Sequence, residues 1–190
     1  MDSINKQQAE KNHQDLGGND AVKKIREIVD QAGSCFFCTV VGSEAALEAR
    51  PMSVQEVDEA GNLWFLSADD SHKNAELVRE SLVKLFFQGS AHSDFMELNG
   101  IATVSHDKAR IDEYWSALKK TWFTEGKDDP RISVIKVKPL DGYYWDTKHS
   151  RAIAGIKMLI GAATGKTLDD SIEGELELKG QPPFSKHTAN

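Results

Sequence analysis

Apolar positions set the element order. Val22, Ile25, Ile28, Val29 and Ala32 recur at helical spacing, with Asn19 or Asp20 placed to cap and Gly33 to stop, so the first element is an amphipathic helix. From Cys35 the period shortens. Cys35 to Val41, Ala45 to Val57, Leu63 to Ala68, Leu82 to Gln88 and Phe95 to Ser105 read as strands separated by turns such as Gly42-Ser43 and Gly61-Asn62. A short helix from Ser71 to about Glu80, with Ala75 and Val78 inward, interrupts them. A second, from Asp107 to about Thr121, carries Ile111, Tyr114, Trp115 and Leu118 on one face. Arg131 to Val137, Gly142 to Asp146 and Glu173 to Leu178 return to strand, and Ile153 to Ala163 reads as a helix. Many antiparallel strands with a few inserted helices predict a barrel-like α+β domain, mainly β, and not a doubly wound sheet.

The chain of 190 residues suits one domain, expected over residues 19–180 between a polar, flexible tail at 1–18 and a loose one at 181–190. A formal charge of -7 and a pI near 5.4 repel a phosphate backbone, so nucleic acid is not the expected partner. The most apolar stretch, Ala152 to Ala163, is short and contains Lys157, and residues 1–18 lack the apolar core of a signal peptide. The expectation is a cytoplasmic protein without a membrane span.

Two motifs point to chemistry that their context does not support. Cys35-Phe36-Phe37-Cys38 has redox or zinc spacing, but it sits in a strand, where residues three apart face opposite sides about 10 Å apart. No second cysteine pair completes a zinc site, so buried structural thiols are expected and no metal. Gly161-Ala162-Ala163-Thr164-Gly165-Lys166-Thr167 is one residue short of a phosphate loop and follows a helix, so Gly165 reads as a helix end.

Stronger candidates lie where Leu63-Trp64-Phe65-Leu66-Ser67-Ala68 runs into Ser71-His72-Lys73. A helix start offers free N–H groups to a phosphate, although Ser71 could be a plain cap and Asp69 or Asp70 a surface partner for Lys73. Basic residues in a first turn oppose the helix dipole, a local conflict of the kind found at functional sites. Pro51, within Arg50-Pro51-Met52, cannot donate to a ladder; this marks an edge or a bulge, which alone requires no ligand but would suit a planar heterocycle. In Tyr143-Tyr144-Trp145, alternation puts Tyr144 on one face and its neighbours on the other, so not all are buried in one core.

Taken in order, Arg50-Pro51-Met52, Trp64-Phe65-Leu66-Ser67 with Ser71-His72-Lys73, Gly100, Trp122-Phe123, Asp128-Asp129-Pro130 and Tyr144-Trp145-Asp146 resemble the pyridoxamine 5'-phosphate oxidase-like split-barrel flavoproteins, in their bacterial general stress protein branch. The resemblance spans Ala21 to Leu178. It implies a split β-barrel of about six antiparallel strands with peripheral helices, a homodimer, and FMN, with FAD as the alternative, at the subunit interface. By the same resemblance Arg50, Pro51 and Met52 line the flavin ring and ribityl chain, and Leu66 and Ser67 pass beside the ligand. Ser71 and Lys73 hold the phosphate, with His72 as a basic neighbour, and Trp145 approaches from the partner chain.

The oxidases' C-terminal Arg-x-His is replaced by His149-Ser150-Arg151 in reversed order, and Gln55 stands where they have a lysine. Pyridoxamine phosphate oxidation is therefore not the expected activity. Two readings stay open: an FMN-dependent oxidoreductase of another substrate, with catalytic residues unassigned, and a non-catalytic flavin-binding or sensing dimer. Haem binding would need a marked histidine, and none of the six is set apart by its neighbours.

Overall fold

The computed structural model describes residues 12–41, 46–115, 123, 125–148 and 170–178. In chain order these form β1 (Leu16–Gly17), α1 (Asn19–Ala32), β2 (Ser34–Val41), β3 (Ala46–Ser53), β4 (Glu56–Val57), β5 (Leu63–Ala68), α2 (His72–Arg79), β6 (Leu82–Gln88), β7 (Phe95–Ser105), α3 (Lys108–Tyr114), β8 (Ile132–Thr147) and β9 (Ser171–Glu177). The expected helix at Ile153 to Ala163, the Gly161 to Thr167 run and His149 to Arg151 lie outside the described residues.

The expected barrel is present in split form. Strand order β5-β8-β7-β6-β2-β3 joins six strands through five antiparallel pairings; β3 and β5 touch without pairing, and the chain crosses between them through β4, which pairs β5. β8 makes this possible. Its first half pairs β5 on one edge, its second half pairs β9 on that same side, and β7 follows it throughout. The two strands expected at Arg131 to Val137 and Gly142 to Asp146 are therefore one. A register shift sets Gly100 opposite Pro139 and Asn99 opposite Asp141, so Leu140 is the extra residue that absorbs the missing proline donor. The single strand expected over Ala45 to Val57 instead breaks, because Val54 donates to the Gly33 carbonyl and Gln55 to that of Trp64 as the chain changes neighbours.

Inside the barrel, Ile25 and Ile28 of α1 pack with Phe37, Phe65, Leu85 and Leu98, all within 1% of full burial. Gly18, not Asn19 or Asp20, precedes the helix. It takes φ 57, makes no side-chain cap, and donates its N–H to the Glu177 carbonyl. Gly33 ends the helix in the left-handed region as expected. α3 is shorter than its pattern suggested: Asp107 caps it, but Trp115 is already extended. Ile111 and Tyr114 pack with Trp64 and Val134 in a second cluster, and Leu118 lies outside the described residues. Cys35 and Cys38 are free, buried thiols, as the strand reading required.

Part of the expected tail belongs to the sheet. Asn12 to Gly17 runs parallel to β9, with Gln14 N–H donating to the Glu173 carbonyl, Glu173 N–H to that of Asn12, and the Tyr144 hydroxyl to that of Gln14. This contact depends on Gly174, where a Cβ would stand 1.8 Å from the Gln14 carbonyl oxygen. Gly174→Ala should push the N-terminal strand off β9 and lower stability by about 1–3 kcal/mol. The check is amide exchange at Gln14 and Glu173; wild-type protection in the variant would show that the contact tolerates a side chain.

Candidate functional site

α2 leaves β5 through a tight turn. Ser71 caps it, accepting the Asn74 N–H at 3.3 Å. The inward face is polar, contrary to the apolar pattern: Lys73, Asn74 and Leu77 are buried, while Ala75 is exposed and Val78 is 84% exposed. Hydrogen bonding explains the rotation. The Ser67 hydroxyl donates to Asn74 Oδ1 at 2.8 Å, Asn74 Nδ2 donates to the Ser133 hydroxyl at 2.9 Å, and Ser133 donates back to the Ser67 carbonyl. Removing any member would leave a buried polar group unpaired, a cost that outweighs hiding two small apolar side chains.

Lys73 follows Asn74 inward. It is 7% exposed, and among the described residues its ammonium has no hydrogen-bond or ion-pair partner. Burial, together with the charge of Arg50 and against that of Glu76, pushes its pKa down to about 8. Arg50 is held nearby through both terminal guanidinium nitrogens. One guanidinium nitrogen donates to Thr39 Oγ1 at 2.8 Å; the other donates to Glu76 at 2.8 Å and to Glu48 at 2.6 Å. Hydrogen bonds from Thr39 and Arg50 overcome desolvation and hold the Glu76 carboxyl below its usual range.

Register separates Arg50 from Pro51. Arg50 lies opposite Phe37 on the inner face of β2 and β3, whereas Pro51 lies opposite Phe36 on the outer face. There a cavity of about 420 Å³ is bounded by Phe36, Pro51, Phe86, Phe95, Met96 and Trp145. Trp145 is 41% exposed and its ring lies 4.8 Å from that of Tyr143, while Tyr144 is buried on the opposite side, as alternation required. Cys35, the ionisable group on the cavity wall, is pushed up to about 12 by burial.

The nine candidates thus fall into groups. Ser67 and Ser71 meet, with hydroxyls 3.4 Å apart, at the start of α2, and Arg50 is bonded to Glu76, whose charge also acts on Lys73. Pro51 and Trp145 share the outer cavity. Met52 packs on the main core, Leu66 on the second cluster, and His72 is exposed. Thr39, Asn74 and Glu76 escaped the sequence reading. Glu76 could have been found from its position one turn after Lys73; Thr39 and Asn74 carry no local signal.

The sequence profile of the family described as pyridoxamine 5'-phosphate oxidase like matches residues 20–169, and the chain belongs to that family. Among solved structures, it resembles a protein of general stress protein 26 type from Jannaschia sp. CCS1, with 20% identity, TM-score 0.70, and 83% of this chain and 98% of that one covered. It also resembles the general stress FMN/FAD binding protein of Xanthomonas citri, with 23% identity, TM-score 0.54, and 63% and 83% covered. Both likenesses establish the split-barrel fold. Protein bli-3 of Neurospora crassa is 25% identical over 52% of this chain, which spans 51% of that curated relative.

The position of Lys73 has a pH signature. Because its folded pKa of about 8 lies below the ordinary 10.5, burying the charged form costs stability in full below pH 8. That cost disappears as pH rises from 8 to 10.5. The stability of ligand-free wild type, relative to Lys73→Met, should therefore rise by up to about 3 kcal/mol over this window. Denaturant titrations of both proteins at pH 7, 8, 9 and 10 measure the difference; a flat difference would contradict it.

Proposed function

We propose that the chain binds a flavin, FMN before FAD, with the phosphate at Ser71 and Lys73. The observation that carries this is Lys73, a side chain only 7% exposed whose ammonium has no hydrogen-bond or ion-pair partner among the described residues, beside a capped helix start: a largely desolvated cation is stabilised by an anion, and a phosphate supplies one. Ser67 and Ser71 offer hydroxyls on the same side.

The proposed assembly is a homodimer with the flavin at the interface, where Pro51 and the cavity meet the ligand and Trp145 is contributed across it. Phe36 at 59% exposure, Phe86 at 39% and Trp145 at 41% support this, because a contiguous apolar patch on a sheet face suits burial against a second copy. Met52, Leu66 and His72 are assigned to the ligand by family resemblance.

When bound, the flavin would supply hydride or electron transfer. The protein would bind and orient it; Cys35, a protonated thiol at neutral pH, offers neither base nor nucleophile. The role we propose is a flavin-dependent oxidoreductase of the general stress type. The same inert wall favours a second reading, a non-catalytic flavin-binding or sensing protein. Free thiols at Cys35 and Cys38 fit a reducing cytoplasm. Among the described residues no helix is long and apolar enough to cross a membrane, and the charge of -7 disfavours nucleic acid as a partner.

Purified protein should show a flavin absorption spectrum, or acquire one with added FMN, and release FMN on heating. Lys73→Ala should weaken FMN binding by about tenfold or more with unchanged circular dichroism. Equal affinity in the variant would remove Lys73 from the phosphate site. Steady-state turnover with reduced nicotinamides and candidate acceptors separates the enzyme from the sensor. A Phe36→Asp, Phe86→Asp double variant should sediment as a monomer where wild type sediments as a dimer, and a variant that remains dimeric would place the interface elsewhere.

A further inference from the structure

We propose that Glu76 is a positioning residue of the anion site, tying Arg50 of β3 to α2 and supplying the negative charge that lets Arg50 and Lys73 stand together. The proposal rests on the flavin reading for the identity of the anion, but its geometry is independent of it.

Glu76 lies on α2 three residues after Lys73, close to the same face, and its side chain is 12% exposed. Both carboxylate oxygens are used: Oε1 accepts Arg50 Nη2 at 2.8 Å, and Oε2 accepts the Thr39 hydroxyl at 2.5 Å. Arg50 Nη1 donates to the same Thr39 oxygen, which closes a three-residue ring between β2, β3 and α2. Thr39 is fully buried, so the ring is anchored from the core side. Glu48, by contrast, reaches Arg50 from solvent with its side chain 57% exposed. Of the two carboxylates on Arg50, Glu76 is the fixed one.

The charges that act on Lys73 are Arg50, which disfavours its protonated form, and Glu76, which favours it. α2 packs against β2 and β7, whose ionisable groups are the thiols Cys35 and Cys38 and Glu97, the last paired with Lys84. Glu48 stands behind Arg50 on β3. His72 and Arg79, at the ends of the same helix, are exposed. Without Glu76, two cations would face one site with one exposed carboxylate between them and solvent, and Lys73 would give up its proton more readily. A neutral Lys73 cannot hold a phosphate dianion by charge. Glu76, an anion, thus favours the binding of an anion by acting through its neighbours.

The test compares wild type, Glu76→Gln and Glu76→Asp. In ligand-free protein carrying ¹³C-dimethylated lysines, the Lys73 resonance should titrate at lower pH in Glu76→Gln than in wild type. Glu76→Asp, which keeps the charge but draws it back by one methylene, should fall between them and serves as the second variant if Glu76→Gln does not fold. FMN and riboflavin affinities are then measured from pH 6 to 9, since their ratio isolates the phosphate. At pH 8 Glu76→Gln should bind FMN about 3- to 10-fold more weakly, with riboflavin affinity changed by less than about 2-fold. An unmoved Lys73 titration overturns the proposal whatever the ligand. Wild type that binds neither flavin while Lys73 titrates as described overturns the flavin reading and leaves Glu76 as the residue that sets the charge of Lys73.

Discussion

Asn74 is the pin on which the site turns. Its side chain accepts from Ser67 at the end of β5 and donates to Ser133 at the start of β8, so the first turn of α2 is fixed to two adjacent strands at once. A buried amide with its bonds made admits one helix rotation, because any other leaves polar atoms dry and unpaired. That rotation carries Lys73 inward with it and aims Glu76 at Arg50 and Thr39. The placement of Lys73 follows from a neutral hydrogen-bond network one residue away.

The edge position of β3 makes a second contribution. It pairs with β2 alone and touches β5 without pairing, so its residues alternate between the inner face and an apolar outer face. Arg50 and Pro51 are neighbours in sequence yet belong to the two sides, one among charges and the other among aromatic rings.

Much of this was legible in the chain. The limits of β5, β6 and β7 follow from alternation bounded by turn residues, and Pro51 marked an edge or a bulge because of the donor it lacks, of which the edge is found. Gly33 announced the end of α1 through the conformation only glycine takes freely. The misreadings share a cause: the deciding partner was distant in sequence. Val78 looked inward until Ser133, 59 residues from Asn74, turned the helix. The break after Ser53 depends on Trp64, the continuity of β8 on the bulge opposite Gly100, and the strand character of Leu16 on β9. Within the site, Lys73 and Arg50 stood out by type and place, while Thr39 and Glu76 acquired meaning only when β2, β3 and α2 met.

The pairing of β1 with β9 brings together positions about 160 residues apart, as in the bond from the Glu175 amide to Asp15. Closing so long a loop costs entropy that only an already assembled surface can offset, and β9 offers that surface once it lies against β8. The N-terminal strand is thus the natural last arrival in folding and the first to fray. Since it joins the sheet by one edge alone, its departure would uncover Leu16 and free the Tyr144 hydroxyl while the strands from β5 to β3 kept their own pairings.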